Sequence, residues 1–525
     1  MDDQAEVIAF LADPATHGLS AGEEVARRDT HISAVFLAGE RAFKLKRAVG
    51  LSFLDFTTLA ARRRACLAEI AANRPAAPEL YEGVAPVLRA ADGRLSIGPV
   101  GESAEAPPGE AAVVDWLVVM RRFDQDGLFI RLAESGALDR HLIADLAVEV
   151  AAVHERAEVH REAGGAEAMR ATIDGVAESF APHLPAVFDP ARVTALVEAQ
   201  RAECARHADL LEARRAAGLV RRCHGDLHLR NICLWQGRPT LFDAIEFNQD
   251  FVLIDVLYDL AFLLMDMGER GLADLASVLF NVYQERRDDI AGLALLPVFL
   301  SLRAAIRAHV AASMAAVRED PADRARLIDE AHHMLARAEA YLAPPAPRLV
   351  AVGGLSGSGK SRLARALAPY VGAAPGALVL RSDVVRKRLM GQAPLTRLGP
   401  EGYRPEMTEK TYRRVDEEAA EALAAGHSVI ADAVFATPGE RADIEAVAAR
   451  AGVPFEGLWL SADPEVMAER VRTRQGNASD ATEAVLKRQF AYDLGAIAWH
   501  RVDSSGSRED TLAGALAALG MTGDA

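Results

Sequence analysis

Between Arg221 and Phe247 the chain reads RRCHGDLHLRNICLWQGRPTLFDAIEF, and the residue types in it suit phosphoryl transfer. His224, Asp226 and Asn231 stand in the spacing H-x-D-x-x-x-x-N, and Asp243 follows after a short gap. A carboxylate at Asp226 can accept the proton of an attacking hydroxyl. Asn231 and Asp243 offer hard oxygen donors that would hold Mg²⁺ against the phosphates of ATP. Asn231-Ile-Cys-Leu-Trp, the turn Gln236 to Pro239 and Thr240-Leu-Phe predict two short strands. Such a hairpin brings both metal ligands to one end. Bare H-x-D matches are common, so the assignment rests on Asn231 and Asp243 at the right distances.

A second stretch points to the same chemistry by another route. Arg348-Leu-Val-Ala-Val predicts an apolar strand, and it runs into Gly354-Leu-Ser-Gly-Ser-Gly-Lys-Ser361, a complete G-x-x-x-x-G-K-S loop. Gly354, Gly357, Ser358 and Gly359 shape a loop whose backbone N–H groups converge on a β-phosphate. Lys360 reaches the β/γ oxygens and Ser361 is a ligand for Mg²⁺. Ala377 to Asp383 reads as a strand ending in an acid; Asp383 would bind or deprotonate an acceptor hydroxyl, with Arg386 near an acceptor phosphate. Asp432 closes the strand-like run Ser428 to Asp432 as a further support for Mg²⁺. Arg470, Arg472 and Arg474 with Ser479-Asp480-Ala481 suggest a basic lid, Arg470 and Arg474 sharing a helical face toward ATP.

The elements that must position these groups can be read in order. A helix is expected near Ala5 to Leu11, and the segments from Thr30 and from Arg41 flank Ala38-Gly39-Glu40 as a hairpin. Lys44 and Lys46 share parity on the second strand, so either is placed to contact ATP α/β-phosphates. Leu59 to Asn73 reads as a helix, with Glu69 positioned to pair with Lys44 and hold it toward the phosphates. Val113 to Met120 predicts an apolar strand running into a hinge at Arg121 to Asp124. Leu138 to Ala157 and Pro190 to Ala217 read as helical by period and by their Ala, Glu and Leu content. Asp255 and Asp259, at i,i+4 spacing, suit a structural brace for the catalytic loop. Arg303 and Arg307 lie on a later helix and would line an acceptor pocket, or else serve a solvated face or an internal salt bridge.

Composition sets the limits. The chain has 525 residues, 50% hydrophobic and 26% charged, which predicts two or three soluble domains. A net charge of -16 argues against nucleic acid and anionic membrane as partners. Four cysteines without metal-type spacing suit a reduced, cytoplasmic setting. No basic-then-apolar stretch follows Met1-Asp-Asp, and the longest apolar run, Leu293 to Leu302, is too short to span a membrane. Ala343-Pro-Pro-Ala-Pro347 cannot continue a helix and reads as a stiff linker between domains 1–342 and 348–525.

On HGDLHLRN, FDAIEF and DVLYDLAFL, the first ~340 residues resemble the aminoglycoside phosphotransferase family. The resemblance implies a protein-kinase-like α+β domain of two lobes that phosphorylates a hydroxyl on a small molecule. The hairpin departs from that pattern in having only Gly39 where a glycine-rich nucleotide loop is expected. On the P-loop, SDVVRKRL, ADAVF and the R-x-x-x-R…SDA pieces, residues 348–525 are similar to small P-loop kinases of the gluconate kinase, zeta toxin and polynucleotide 5′-kinase group. That implies an α/β domain with a parallel sheet. The expected whole is a two-kinase fusion using ATP and Mg²⁺ on a sugar, polyol or aminoglycoside-like alcohol. The alternatives are a C-terminal nucleic-acid 5′-end kinase, a toxin-like nucleotide-sugar kinase, or one half acting as a nucleotide-binding regulator.

Overall fold

Strand Ala112–Arg121 is buried from Asp115 to Met120, and the first sheet assembles on either side of it. A computed structural model describes residues 4–20, 22–51, 54–103, 111–473 and 479–521. The chain forms two compact units, Met1–Met169 with Leu211–Leu263, and Arg170–Leu210 with Leu264–Ala525.

In the first unit the sheet has six strands in the order Ala26–Asp29, Ser33–Ala38, Arg41–Lys46, Ala112–Arg121, Tyr81–Arg89 and Leu95–Ile97. Each neighbouring pair is antiparallel. Ala38 pairs with Arg41, so Gly39 and Glu40 make a two-residue turn, and Gly39 takes φ 56° there. One face of the sheet, with Ala42, Trp116 and Val118, receives Cys66 and Ile70 of helix Leu59–Asn73. Phe43 and Leu45 point the other way and pack with Val7 and Leu11 of helix Ala5–Ala12. Burying each such aliphatic side chain stabilises the lobe by about 2 kcal/mol. Thr58 starts the Leu59–Asn73 helix, its side chain accepting from the Ala61 N–H at 3.2 Å.

The same unit continues with helix Arg140–Arg156 and the hairpin Ile232–Trp235 with Arg238–Leu241. Trp235 pairs with Arg238 across Gln236 and Gly237, whose φ of 50° and 77° make the primed turn that matches strand twist. Leu253–Asp255 pairs antiparallel with Val220–Arg222 and leads into helix Val256–Glu269.

The second unit contains helices Pro190–Arg206, Ala273–Arg287, Leu296–Ala316 and Pro321–Tyr341, and a parallel five-stranded sheet. Its strand order is Leu378–Arg381, Val429–Asp432, Leu349–Gly353, Phe455–Ser461 and His500–Asp503. The central strand Leu349–Gly353 is a buried apolar run, as a strand covered on both faces must be, whereas the edge strand His500–Asp503 buries only Val502. Helices Lys360–Leu367 and Arg508–Ala518 share a core with Val350, Val352, Ile430 and Leu458. Between Tyr341 and Leu349 the chain has neither helix nor strand.

Three elements differ from expectation. The stretch read as helical from Pro190 to Ala217 is two helices, breaking at His207 (φ -105°, ψ 17°) before Ala208–Ala216. That second piece is oriented by Arg214, whose guanidinium grips both oxygens of the buried Asp255 at 2.7 and 2.8 Å. The strand read through Asp383 stops at Arg381, and Asp383 lies in the first turn of helix Ser382–Leu389, where an acid suits the helix dipole. The segment around Leu293 to Leu302 belongs to a helix, Ala291–Ala316, that is long and apolar enough to cross a membrane, because alanines extend the run. Within its most apolar window, however, 72% is buried inside the protein.

Candidate active sites

The first site is built on the loop after strand Val220–Arg222. Gly225 adopts φ 81°, and a Cβ there would stand 2.7 Å from the Phe251 carbonyl, so only glycine fits. Asp259 accepts from the N–H groups of His224 (3.2 Å) and Gly225 (2.8 Å), and lies 3.1 Å from His154 Nε2. His154, Cys223 and Asp259 are close enough to ligate a metal ion, but both Asp259 oxygens are already engaged by the loop. They brace it. His224 Nε2 lies 2.9 Å from the Phe242 carbonyl and so ties the loop to the chain entering Asp243.

Asp226 is thereby presented half-exposed, its side chain at 40%. Asn231 Nδ2 donates to both the backbone and the carboxylate oxygen of Asp226 at 3.0 Å. His228 Nε2 lies 3.3 Å from the same carboxylate. Asp243 takes φ 63°, and its N–H donates to the Tyr81 hydroxyl at 3.1 Å.

Lys44 Nζ joins the sheet to this loop, donating to Glu69 at 2.9 Å and Asp243 at 2.5 Å. Lys46, fully buried, pairs with Glu69 and donates to Glu246 at 2.5 Å. Burial opposes charge on Glu69, yet the ammonium groups of Lys44 and Lys46 outweigh it and pull the carboxyl down to about 2. Burial likewise opposes charge on Lys44, but Asp243 and then Glu69 hold it well above the usual lysine value. Asn73 locks the arrangement, its Oδ1 accepting from Ala244 N–H at 2.7 Å and its Nδ2 donating to the Glu69 carbonyl at 3.0 Å. Asp243 and Asn231 offer oxygen donors, with Asp243 partly exposed, which fits a hard cation such as Mg²⁺.

In the second site the loop after Leu349–Gly353 is shaped by close backbone approach. A Cβ on Gly354 would meet the Leu460 carbonyl at 2.4 Å, and one on Gly357 the Met467 carbonyl at 2.5 Å. Gly359, at φ 93°, precedes helix Lys360–Leu367 with no capping side chain, the kind of helix start that suits an anion. Lys360 Nζ donates to the Leu355 carbonyl at 3.0 Å. The Ser358 carbonyl accepts from Ser504 Oγ at 2.7 Å. Ser361, the second residue of the helix, is partly exposed beside it.

Arg470 donates to the Ser504 carbonyl at 2.7 Å, and its Nη1 would lie 3.9 Å from a Cβ on Gly359, so it flanks the loop. Arg472 pairs with Glu469. Arg474 falls outside the described residues. Asp432 ends its strand 3.8 Å from Arg381 Nε. Burial first, and the Asp432 charge second, push the Asp383 carboxyl up. Arg386 is buried, donates to the Gly402 carbonyl at 2.9 Å and to Thr408 Oγ1 at 3.3 Å, and lies over the Tyr403 ring at 5.0 Å. Arg303 and Arg307 are in the second unit on helix Leu296–Ala316; Arg303 is buried and Arg307 donates to Glu330 at 3.1 Å.

Sequence reasoning missed several members. Glu246, three residues past Asp243 in FDAIEF, was a readable acid without a predicted partner. Gln489 accepts from the Ser356 N–H of the P-loop at 2.7 Å. Lys387 donates at 3.2 Å to Asp480 of the expected lid, which also accepts from the Tyr403 hydroxyl at 2.8 Å. Neither Gln489 nor Lys387 carries a local signal.

Comparison with known proteins gives matches along both units. Residues 124–296 match a model described as a phosphotransferase enzyme family, and residues 349–492 one described as an AAA domain. An uncharacterized protein of Mycobacterium bovis is 32% identical over 499 residues, covering 92% of this chain and 93% of its own; one from Mycobacterium tuberculosis gives the same figures. Among solved structures, a choline/ethanolamine kinase family protein from Mesorhizobium loti is 17% identical, covering 65% of this chain and 98% of that one, with a TM-score of 0.38. A gluconokinase from Sinorhizobium meliloti is 23% identical over 33% of this chain and 92% of its own, with a TM-score of 0.25.

Proposed function

This chain belongs to the same family as the mycobacterial proteins that it matches over nearly their whole length, and from that premise we propose a fusion of two small-molecule kinases. It is an ATP-dependent kinase with a kinase-like phosphotransferase domain ahead of an α/β P-loop domain. In our reading the domains are 1–342 and 348–525, joined by the proline-rich stretch 343–347, in a cytoplasmic protein.

The first half takes its reading from one juxtaposition. Lys44 bridges Glu69 and Asp243, while Asn231 is hydrogen-bonded to Asp226. In this reading Asp226 accepts the proton of the acceptor hydroxyl, and Lys44, held by Glu69, binds the nucleotide phosphates. Asn231 and Asp243 would hold Mg²⁺, which neutralises charge on the transferred phosphoryl group when bound. In the second half the N–H groups of the loop 354–361 cradle phosphates, with Lys360 and Arg470 beside them. There Ser361 and Asp432 would hold the cation, Asp383 faces the acceptor hydroxyl, and Arg386 supplies the acceptor-side charge. Most of the rate in both halves comes from positioning and charge neutralisation.

A soluble sugar or polyol-like alcohol is the acceptor class we favour. The net charge of -16 repels long polyanions, and Arg386 offers one cation where a nucleic-acid strand needs several. Phosphate transfer from labelled ATP across sugars, polyols, aminoglycosides, nucleosides and RNA ends tests this. Turnover of a sugar or polyol is expected; robust 5′-phosphorylation of an oligonucleotide at physiological salt, lost on Asp383→Ala, would overturn it.

A further inference from the structure

The outermost strand of the parallel sheet, Leu378–Arg381, pairs on one side with Val429–Asp432. Its other edge carries backbone groups that need partners. Asn281, on helix Ala273–Arg287 ahead of the proline-rich stretch, supplies them. Its Oδ1 accepts from the Val379 N–H at 2.7 Å and its Nδ2 donates to the Ala377 carbonyl at 3.2 Å. A side-chain amide thus stands in for a neighbouring strand.

Four residues on, and so on the same helical face, comes Glu285. Its Oε1 lies 3.4 Å from Arg381 Nη1, and Arg381 Nε lies 3.8 Å from Asp432 Oδ2. The Arg381 side chain is only 4% exposed. Just past the helix end, Asp288 accepts from Arg388 Nη1 at 2.6 Å and fixes the docked geometry.

A buried guanidinium cannot shed its proton, so its pull on a nearby carboxylate is moderated only by counter-charge. Arg381 stands beside the carboxylate that we assign to the P-loop cation. We propose that Glu285 is a positioning residue for the P-loop site: it holds the Arg381 charge away from Asp432 and so keeps that acid available to a divalent cation. The helix that covers the sheet edge therefore also sets the charge at the second site. This inference rests on the P-loop half binding nucleotide with Mg²⁺, as proposed above.

The test uses the full chain, with Asp243→Ala silencing the first nucleotide site, and reads ATP binding by calorimetry across a Mg²⁺ series. Glu285→Gln should raise the Mg²⁺ needed for half-maximal affinity about tenfold, and Glu285→Asp should restore most of it. Arg381→Gln removes the competitor and should lower the requirement below wild type, in a variant that does not depend on Glu285→Gln folding. On the Arg381→Gln background, Glu285→Gln should add nothing. Asn281→Ala should lower the melting temperature without moving the Mg²⁺ requirement. A Glu285→Gln requirement within twofold of wild type, or an Arg381→Gln requirement above it, would overturn the proposal. Binding that ignores Lys360→Ala would sink the P-loop reading, and this inference with it.

Discussion

Glu246 accepts a 2.5 Å hydrogen bond from Lys46, and that contact separates two lysines which the sequence leaves equivalent. Lys46 is fully buried between Glu246 and Glu69, whereas Lys44 reaches the partly exposed Asp243. Burial opposes the Lys46 charge, but Glu69 and Glu246 more than offset it and raise its affinity for the proton. Lys44 is left as the cation at the open edge of the site.

Lys44→Met should weaken nucleotide binding at the first site at least tenfold, with a modest change in melting temperature. Lys46→Met should act mainly on stability, costing about 3 kcal/mol, because it strands buried carboxylates without their counter-charge. Calorimetry for binding and denaturant titration for stability separate the two. The reverse pattern would exchange the roles of the lysines.

Asp226→Asn should reduce phosphotransfer by the first half about a thousandfold while leaving ATP affinity nearly intact, since the base is lost and Asn231 and Asp243 remain. The assay needs Lys360→Ala to silence the second half. Equal turnover with and without the carboxylate would remove Asp226 as the base.

Wild-type protein at saturating Mg²⁺ should bind two nucleotides per chain. Lys360→Ala should abolish one and Asp243→Ala the other. A stoichiometry of one in the wild type would convert one half into a regulator.

A pH effect is expected within the second unit. Burial, and then the Asp443 charge, push the Asp416 carboxyl from an ordinary 3.8 to about 7. The folded chain holds that proton more tightly than the unfolded chain, so stability falls as pH rises from near 3.8 to about 7. Asp416→Asn removes the cost of ionisation. Its gain in melting temperature should therefore be larger at pH 8 than at pH 5, and an equal gain at both would refute the assignment.

Local patterns were enough to read much of this molecule. The P-loop lies within eight consecutive residues, and its strand and helix adjoin it, so its order along the chain is its geometry. The H-x-D-x-x-x-x-N run is similarly short, and the Gln236-Gly237 turn announces the hairpin that follows it. Helix Leu59–Asn73 shows its start in Thr58 and its buried stripe in Cys66 and Ile70. What tertiary structure decided lies between residues far apart. Lys46 meets Glu246 across 200 positions, and Asn281 meets Val379 across 98. Glu285 gains a role only because Asn281, one turn earlier on its helix, docks on a sheet edge. No periodicity records such pairs, because a buried ion pair or a side-chain amide on a strand edge needs one partner of the right type at the right place, and folding alone brings that partner there.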